Sequence, residues 1–240
     1  VWPGGDDTRT QNVVVVGASS SRARLPARAA ARRAAMASVL LLCGPSGVGK
    51  GTLCNLLMQA FPRRFRFSVS HTTRAMRAGE CNGEHYHFVT RGEMEHGIAA
   101  GAFVEHAHVH GEIYGTSLGE LERVSAEGRI ALLDVDLHGV RSIMRQPALD
   151  AHCVGIVPPS LFELEKRLRG RQTETEEQIQ RRLERAQLDI EFCKSDPLVE
   201  HVIVNRDSWE YGFPELSRIV TKELWPALFA DDPPLPPLSP

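Results

Sequence analysis

The chain has 240 residues, 28 of them basic and 30 acidic, a formal net charge of −2 and 42% apolar residues. That length suits one sizeable core with a small inserted lobe, and the composition is that of a soluble globular protein. Six of the arginines (9, 22, 24, 28, 32 and 33) lie between Thr8 and Ala37, where there is no acid. The remainder is mildly acidic and lacks the broad basic footprint of a nucleic-acid binder. No apolar run reaches membrane-spanning length. Cys43, Cys54, Cys81, Cys153 and Cys193 show no Cys-x-x-Cys spacing, which points to reduced thiols and an intracellular compartment.

Residues 1–37 are rich in Arg, Ala and Ser and carry no helical stripe long enough to pack. The composition is that of an organelle transit peptide; the plainer alternatives are a disordered leader or sequence upstream of the start, since Met36 opens Met-Ala-Ser. The expected location is cytoplasmic, with mitochondrion or plastid as the alternative if this segment directs import. Val39 to Cys43 is an uncharged apolar run, read as a buried parallel strand. It breaks into Gly44-Pro45-Ser46-Gly47-Val48-Gly49-Lys50-Gly51-Thr52, after which Leu53, Leu56, Leu57 and Ala60 fall at helical spacing. Strand, glycine-rich turn and helix form the setting of a phosphate-binding loop. The glycines let successive N–H groups point inward, the helix N-terminus adds positive potential, and Lys50 reaches the outer phosphates. Gly51 stands where a hydroxyl usually ligates Mg²⁺.

Alternating strands and helices from Ser38 onward predict an α/β fold. Phe65–Ser70 reads as a strand and residues 72–80 as a basic turn. Tyr86–Val89 and Phe103–Val109 read as strands around a helix at Arg91–Ala100, together a small antiparallel lobe. Ile130–Asp136 returns to the main sheet, followed by core strands at Val154–Val157 and His201–Asn205. Ser160-x-x-Glu163 and Thr173-x-x-Glu176 read as capping boxes opening two helices, the first stopping at Gly170. A last helix is expected over roughly Pro214–Leu224, before a proline-rich tail, 227–240, whose disordered run begins at Pro233 and which could also serve as a ligand for an SH3-type partner.

Asp134 and Asp136 end a strand on the sheet edge that receives the glycine loop, where open α/β sheets bind ligands. Paired carboxylates there hold Mg²⁺ or hydrogen-bond a ligand; the plain alternative is two solvated acids. Arg74 and Arg77 lie at the entry to the small lobe, and Arg167, Arg171 and Arg182 around the two capped helices, whereas Arg169, Arg181 and Arg185 read as surface residues. One phosphate loop cradles one triphosphate, so two further arginine groups imply a second phosphate and a lid, an arrangement suited to phosphoryl transfer. His106, His108 and His110 share one strand face; a hydrated face is the preferred reading, a metal site the alternative.

Gly44–Thr52, Phe67–Arg74, Arg77–Glu80, Tyr114-Gly115-Thr116, Asp134–Asp136, Gly170–Glu177 and Val202–Asn205 resemble guanylate kinase, in order, from about Ser38 to Trp225. The resemblance implies a P-loop nucleoside monophosphate kinase fold spanning 38–226: a parallel sheet core, a GMP-binding lobe at about 70–116 and a helical lid at about 160–186. It implies ATP and Mg²⁺ as cofactors, GMP as substrate and a monomer. By that match Arg74, Arg77, Tyr86 and Tyr114 hold the GMP phosphate, with Glu80 in the same set. Ser70, Glu105, Thr116 and Asp134 read guanine. Lys50, Arg77, Arg171 and Arg182 are the catalytic cations, while Arg167 and Asn205 lie with Gly44–Thr52 on the ATP side. Thr52 and Asp136 are the candidate Mg²⁺ ligands, directly or through water. Guanine offers two donors side by side to one carboxylate such as Glu105, whereas adenine offers an acceptor; such sites discriminate by up to about 10⁴–10⁵. The rivals are a non-catalytic guanylate kinase-like interaction domain, which usually loses the loop and arginines, and an adenylate kinase, supported only by the Gly-Lys-Gly-Thr ending.

Overall fold

The computed structural model describes residues 37–109, 111–170, 175–206 and 209–232. Strand β1 (Ala37–Cys43) is buried along nearly its whole length. It lies in the middle of a parallel five-stranded sheet, ordered β2 (Phe65–Phe67), β7 (Ile130–Asp134), β1, β8 (Leu149–Val157) and β9 (His201–Val204). Uncharged Val-Leu-Leu-Leu can sit there because side chains of a central strand meet protein on both faces. Leu40 and Leu42 enter one core with Leu53 and Leu57 of helix α1 (Lys50–Ala60); Val39, Leu41 and Cys43 enter the other. That second core is closed by α3 (Leu118–Ala126), α4 (Leu137–Met144) and part of α6 (Glu176–Ser195). Because β7 and β8 flank β1 on opposite sides, the strand order reverses at β1, and the crevice opens at its carboxyl end.

Between β2 and β7 the chain builds a second sheet, ordered β4 (His87–Phe88), β3 (His71–Thr72), β6 (Glu112–Ser117) and β5 (Phe103–Val109), with α2 (Arg91–Ala99) packed beside it. It is mixed rather than antiparallel as expected. β3 and β4 run parallel because the long connection 73–86 carries the chain back before β4 begins. The antiparallel partner of β5 is β6, a strand not expected from sequence, and the two expected strands, β4 and β5, are not neighbours. His106 and His108 lie on the exposed face of β5, and Glu105 on the other; His110 lies outside the described residues.

Caps fix where the helices start. Thr90 and Glu93 form a reciprocal capping box on α2, Ser117 caps α3 and Asp136 caps α4. At the first helix of the expected lid, α5 (Leu161–Gly170), Ser160 accepts the Glu163 N–H at 3.2 Å, half of the predicted box. The second predicted box is displaced: Thr173 lies outside the described residues, and α6 is opened by Thr175 with Gln178. Starting there leaves the Glu176 carboxylate on Arg169 at the end of α5, at 2.6 Å, so it ties the two helices instead of capping one. The last helix also starts earlier than expected. α7 (Trp209–Arg218) contains Pro214 inside it and continues as a wider π-turn helix, Ile219–Leu224. The segment 1–36 and the tail 233–240 lie outside the described residues. Among those described, no helix is long and apolar enough to cross a membrane.

Candidate active site

The turn from β1 into α1 depends on its glycines. Gly44 has φ +136°, and a Cβ there would stand 2.0 Å from the Ile156 carbonyl oxygen; Gly49 has φ +102° and abuts the Asn205 amide. Only glycine takes both the conformation and the space. Lys50, 9% exposed, donates to the carbonyls of Gly44 and Pro45 at 2.7 and 3.2 Å and lies 3.5 Å from Asp134. Burial pushes the Asp134 carboxyl up from its ordinary range, with Lys50 pulling against it. Thr52 is exposed in the first turn of α1, and Gly51 beside it carries no hydroxyl.

Asn205 and Arg167, placed on the ATP side from sequence, brace this loop from behind. Asn205 is buried and its Nδ2 donates to the Val48 carbonyl at 2.8 Å. Arg167 donates to the same carbonyl at 3.4 Å and to the Asn205 carbonyl at 3.0 Å. Gly212 of α7 makes room for the Asn205 side chain. From α6, Arg182 donates to the Ser46 hydroxyl, bringing the second helix of the expected lid onto the loop. Arg171 lies outside the described residues. Asn205→Ala should therefore loosen the loop. Affinity for a triphosphate-bearing ligand of the loop is expected to fall about tenfold or more, about 1.4 kcal/mol, while that for a monophosphate ligand of the small sheet stays unchanged; separate titrations with a triphosphate and a monophosphate check this.

A second cationic centre lies on the small sheet. Glu80 holds Arg74 by a two-pronged ion pair at 3.0 and 2.8 Å. The guanidinium stands 5.4 Å from the Tyr86 ring and 5.6 Å from that of Phe88, and Tyr114 lies 5.8 Å from Tyr86. Arg74 and the Arg77 N–H hold the Glu80 carboxyl down at about 2. Glu80 is thus the partner that aims Arg74, whereas the Arg77 side chain is exposed. Ser70 is half-buried on the connector, its carbonyl accepting the His87 N–H.

Glu105 links this sheet to the core. The Thr116 hydroxyl donates to its Oε1 at 2.7 Å. Its Oε2 lies 3.6 Å from where a Cβ on Gly139 would stand, in the first turn of α4, so it faces the helix just after Asp134. Burial raises the Glu105 carboxyl above its usual range, with the Thr116 bond opposing. Asp136 has another engagement: its Oδ1 accepts the His138 and Gly139 N–H groups at 3.0 and 2.9 Å, and its Oδ2 lies 3.8 Å from Arg185. Arg185 is exposed, as expected of a surface residue, and is the arginine beside Asp136. Glu120 was not singled out from sequence. Buried at the start of α3, it accepts the Val69 N–H at 3.0 Å and pairs with Arg123, fixing the connector between the sheets. The Ser117-x-x-Glu120 spacing was its one signal, that of a capping box.

The family profile described as Guanylate kinase matches residues 36–223. The chain belongs to the guanylate kinase family. Human guanylate kinase is 48% identical over 185 residues, which cover 77% of this chain and 93% of the human one. Guanylate kinase 1 of Oryza sativa subsp. japonica is 51% identical over 168 residues, 70% of this chain but 44% of the rice protein. The chain thus spans less than half the length of the rice relative, and 46% of the Arabidopsis thaliana one. A crystal structure of guanylate kinase from Anaplasma phagocytophilum aligns over 82% of this chain and 95% of its own, with TM-score 0.58 and 29% identity. The fold is the P-loop nucleoside monophosphate kinase fold of that family.

Proposed function

We propose that this protein transfers the γ-phosphoryl group of ATP to GMP, giving ADP and GDP. The observation that carries the reading is the pair of cationic centres on separate sheets, Lys50 in the glycine loop and Arg74 among Tyr86, Phe88 and Tyr114, with Glu105 reaching the core between them. In this reading the glycine loop takes the ATP phosphates, with Arg167 and Asn205 supporting its shape. Arg74, aimed by Glu80, takes the GMP phosphate with Arg77, Tyr86 and Tyr114. Glu105, with Ser70, Thr116 and Asp134, reads the guanine. Lys50, Arg77, Arg171 and Arg182 neutralise charge on the moving phosphoryl group, where positioning and electrostatics do most of the work. A phosphate oxygen of GMP is already a competent nucleophile, so no general base is required. Closure of the 70–116 lobe and the 160–186 lid excludes water that would otherwise hydrolyse ATP.

Mg²⁺ takes hard oxygen donors and keeps several waters. The Thr52 hydroxyl and the Asp136 Oδ2 are donors of that kind. Since Oδ1 of Asp136 caps α4, that residue fits a contact through water. Bound there, the ion would neutralise charge on the ATP phosphates. A non-catalytic interaction domain is not favoured, because the glycine loop, Lys50 and the aimed Arg74 are all intact. Chromatography of ATP and GMP incubated with the protein and Mg²⁺ is expected to show ADP and GDP in equal amounts. ADP with free phosphate and no GDP would overturn the reading.

A further inference from the structure

The loop joining Glu80 to Tyr86 carries three side chains of metal-binding type that the nucleotide reading leaves unused. Cys81, Glu84 and His85 each offer a ligand atom, and the three atoms lie within 4.8 Å of one another. All three residues are exposed, and Cys81 is the exposed member of the five cysteines, the other four being buried. The backbone is already folded beneath them. The N–H groups of Glu84 and His85 both donate to the Cys81 carbonyl, at 3.3 and 3.1 Å, and Gly83 donates to Tyr86 at 2.8 Å. The Asn82 side chain accepts the Phe88 N–H at 2.8 Å, and Gly83, at φ +82°, supplies the left-handed residue that closes the turn.

We propose that Cys81, Glu84 and His85 form a binding site for a divalent transition-metal ion of the zinc class, with water completing its shell. One thiolate, one imidazole and one carboxylate are the ligands zinc accepts, at about 2.0–2.3 Å. Ligands of a tetrahedral shell at those bond lengths stand about 3.3–3.8 Å apart, so atoms within 4.8 Å of one another need to close by at most about 1.5 Å, within reach of exposed side chains on a formed turn. Mg²⁺ prefers an all-oxygen shell and does not compete for sulfur and nitrogen. Binding makes a metal–sulfur bond as the Cys81 S–H bond breaks, and the proton leaves to solvent. The His85 Nδ1 accepts the Cys81 N–H at 3.0 Å; that bond is exchanged, the ring turning a lone pair to the ion and the N–H turning to water. Glu80 and Tyr86 flank the site, and Gly83 and Glu84 line a cleft of about 380 Å³ against Phe65, Arg66 and Phe67 of β2. An ion there would tie down the segment that holds Arg74.

Titration of the chelator-stripped full chain with Co²⁺ tests the site. The expected result is a near-ultraviolet thiolate-to-cobalt absorption band saturating at one equivalent, removed by one equivalent of Zn²⁺ and unaffected by excess Mg²⁺. Cys81→Ser should abolish the band, and Glu84→Gln and His85→Gln should each weaken Co²⁺ binding by about tenfold or more, or about 1.4 kcal/mol or more. No thiolate band in the unaltered protein, a band that survives Cys81→Ser, or unchanged binding in both other variants would overturn the proposal. Circular dichroism of each variant controls for folding. Turnover plays no part in the readout, so failure of the site and failure of the proposed phosphotransfer are seen separately.

Discussion

Replacing Lys50 with alanine is expected to lower kcat for phosphoryl transfer by about 10²–10³-fold or more, the range for removing one preorganised charge from a transition state. GMP should still bind, because its proposed anchor, Arg74, belongs to the other sheet and is held by Glu80. The ammonium group lies at the mouth of the loop against the carbonyls of Gly44 and Pro45 and near Asp134, so a short swing takes it to a phosphate. Its loss also leaves Asp134 without the cation that opposes the upward push of burial on its carboxyl. Stopped-flow or steady-state turnover, together with calorimetric titration of GMP, separates the two effects. A kcat within a few-fold of the unaltered protein would remove Lys50 from the chemistry.

Glu105→Gln is the second large effect. The amide keeps the shape and can still accept the Thr116 hydroxyl, but it turns one guanine-facing acceptor into a donor. The preference for GMP over AMP, as the ratio of kcat/KM values, should fall by about 10²-fold or more, part of the range available to hydrogen-bonded recognition. Two further signs follow from burial. Burial raises the Glu105 carboxyl above its ordinary range, so ionising it costs more in the fold than in the unfolded chain, and stability is gained as pH falls through its folded value. Removing the charge is therefore expected to leave Tm unchanged or raised at neutral pH. In the proposed reading the carboxylate accepts from guanine, so GMP affinity should be full above the Glu105 pKa and fall as pH drops through it. The Glu80–Arg74 pair does not contribute to that fall, since Glu80 stays ionised down to about 2. Equal losses for GMP and AMP would show that Glu105 does not contact the base.

Much of this was legible because the signals are local. Val39–Cys43 announces its burial by composition, and the glycine loop by spacing; both stand where expected. Phe103–Val109 shows its sidedness by alternation, and the histidines described there do face solvent. What sequence left hidden is mostly long-range. The bond from Asn205 to Val48 spans 157 residues, and that from Glu120 to Val69 spans 51. No local pattern reports that a side chain is spent on another segment's backbone. The direction of β4 was hidden for the same reason, since a two-residue strand takes its orientation from the path of the 73–86 connection. The capping box moved because two overlapping Thr-x-x-Glu/Gln patterns compete, and the ion pair between Glu176 and Arg169 goes with the later start.

The most direct test is initial turnover with ATP and Mg²⁺ against GMP, dGMP, AMP and UMP side by side, with products identified. Rapid conversion of GMP to GDP with stoichiometric ADP, and AMP and UMP slower by several orders of magnitude, is the predicted result. No turnover of GMP, or AMP turned over as well as GMP, would contradict it.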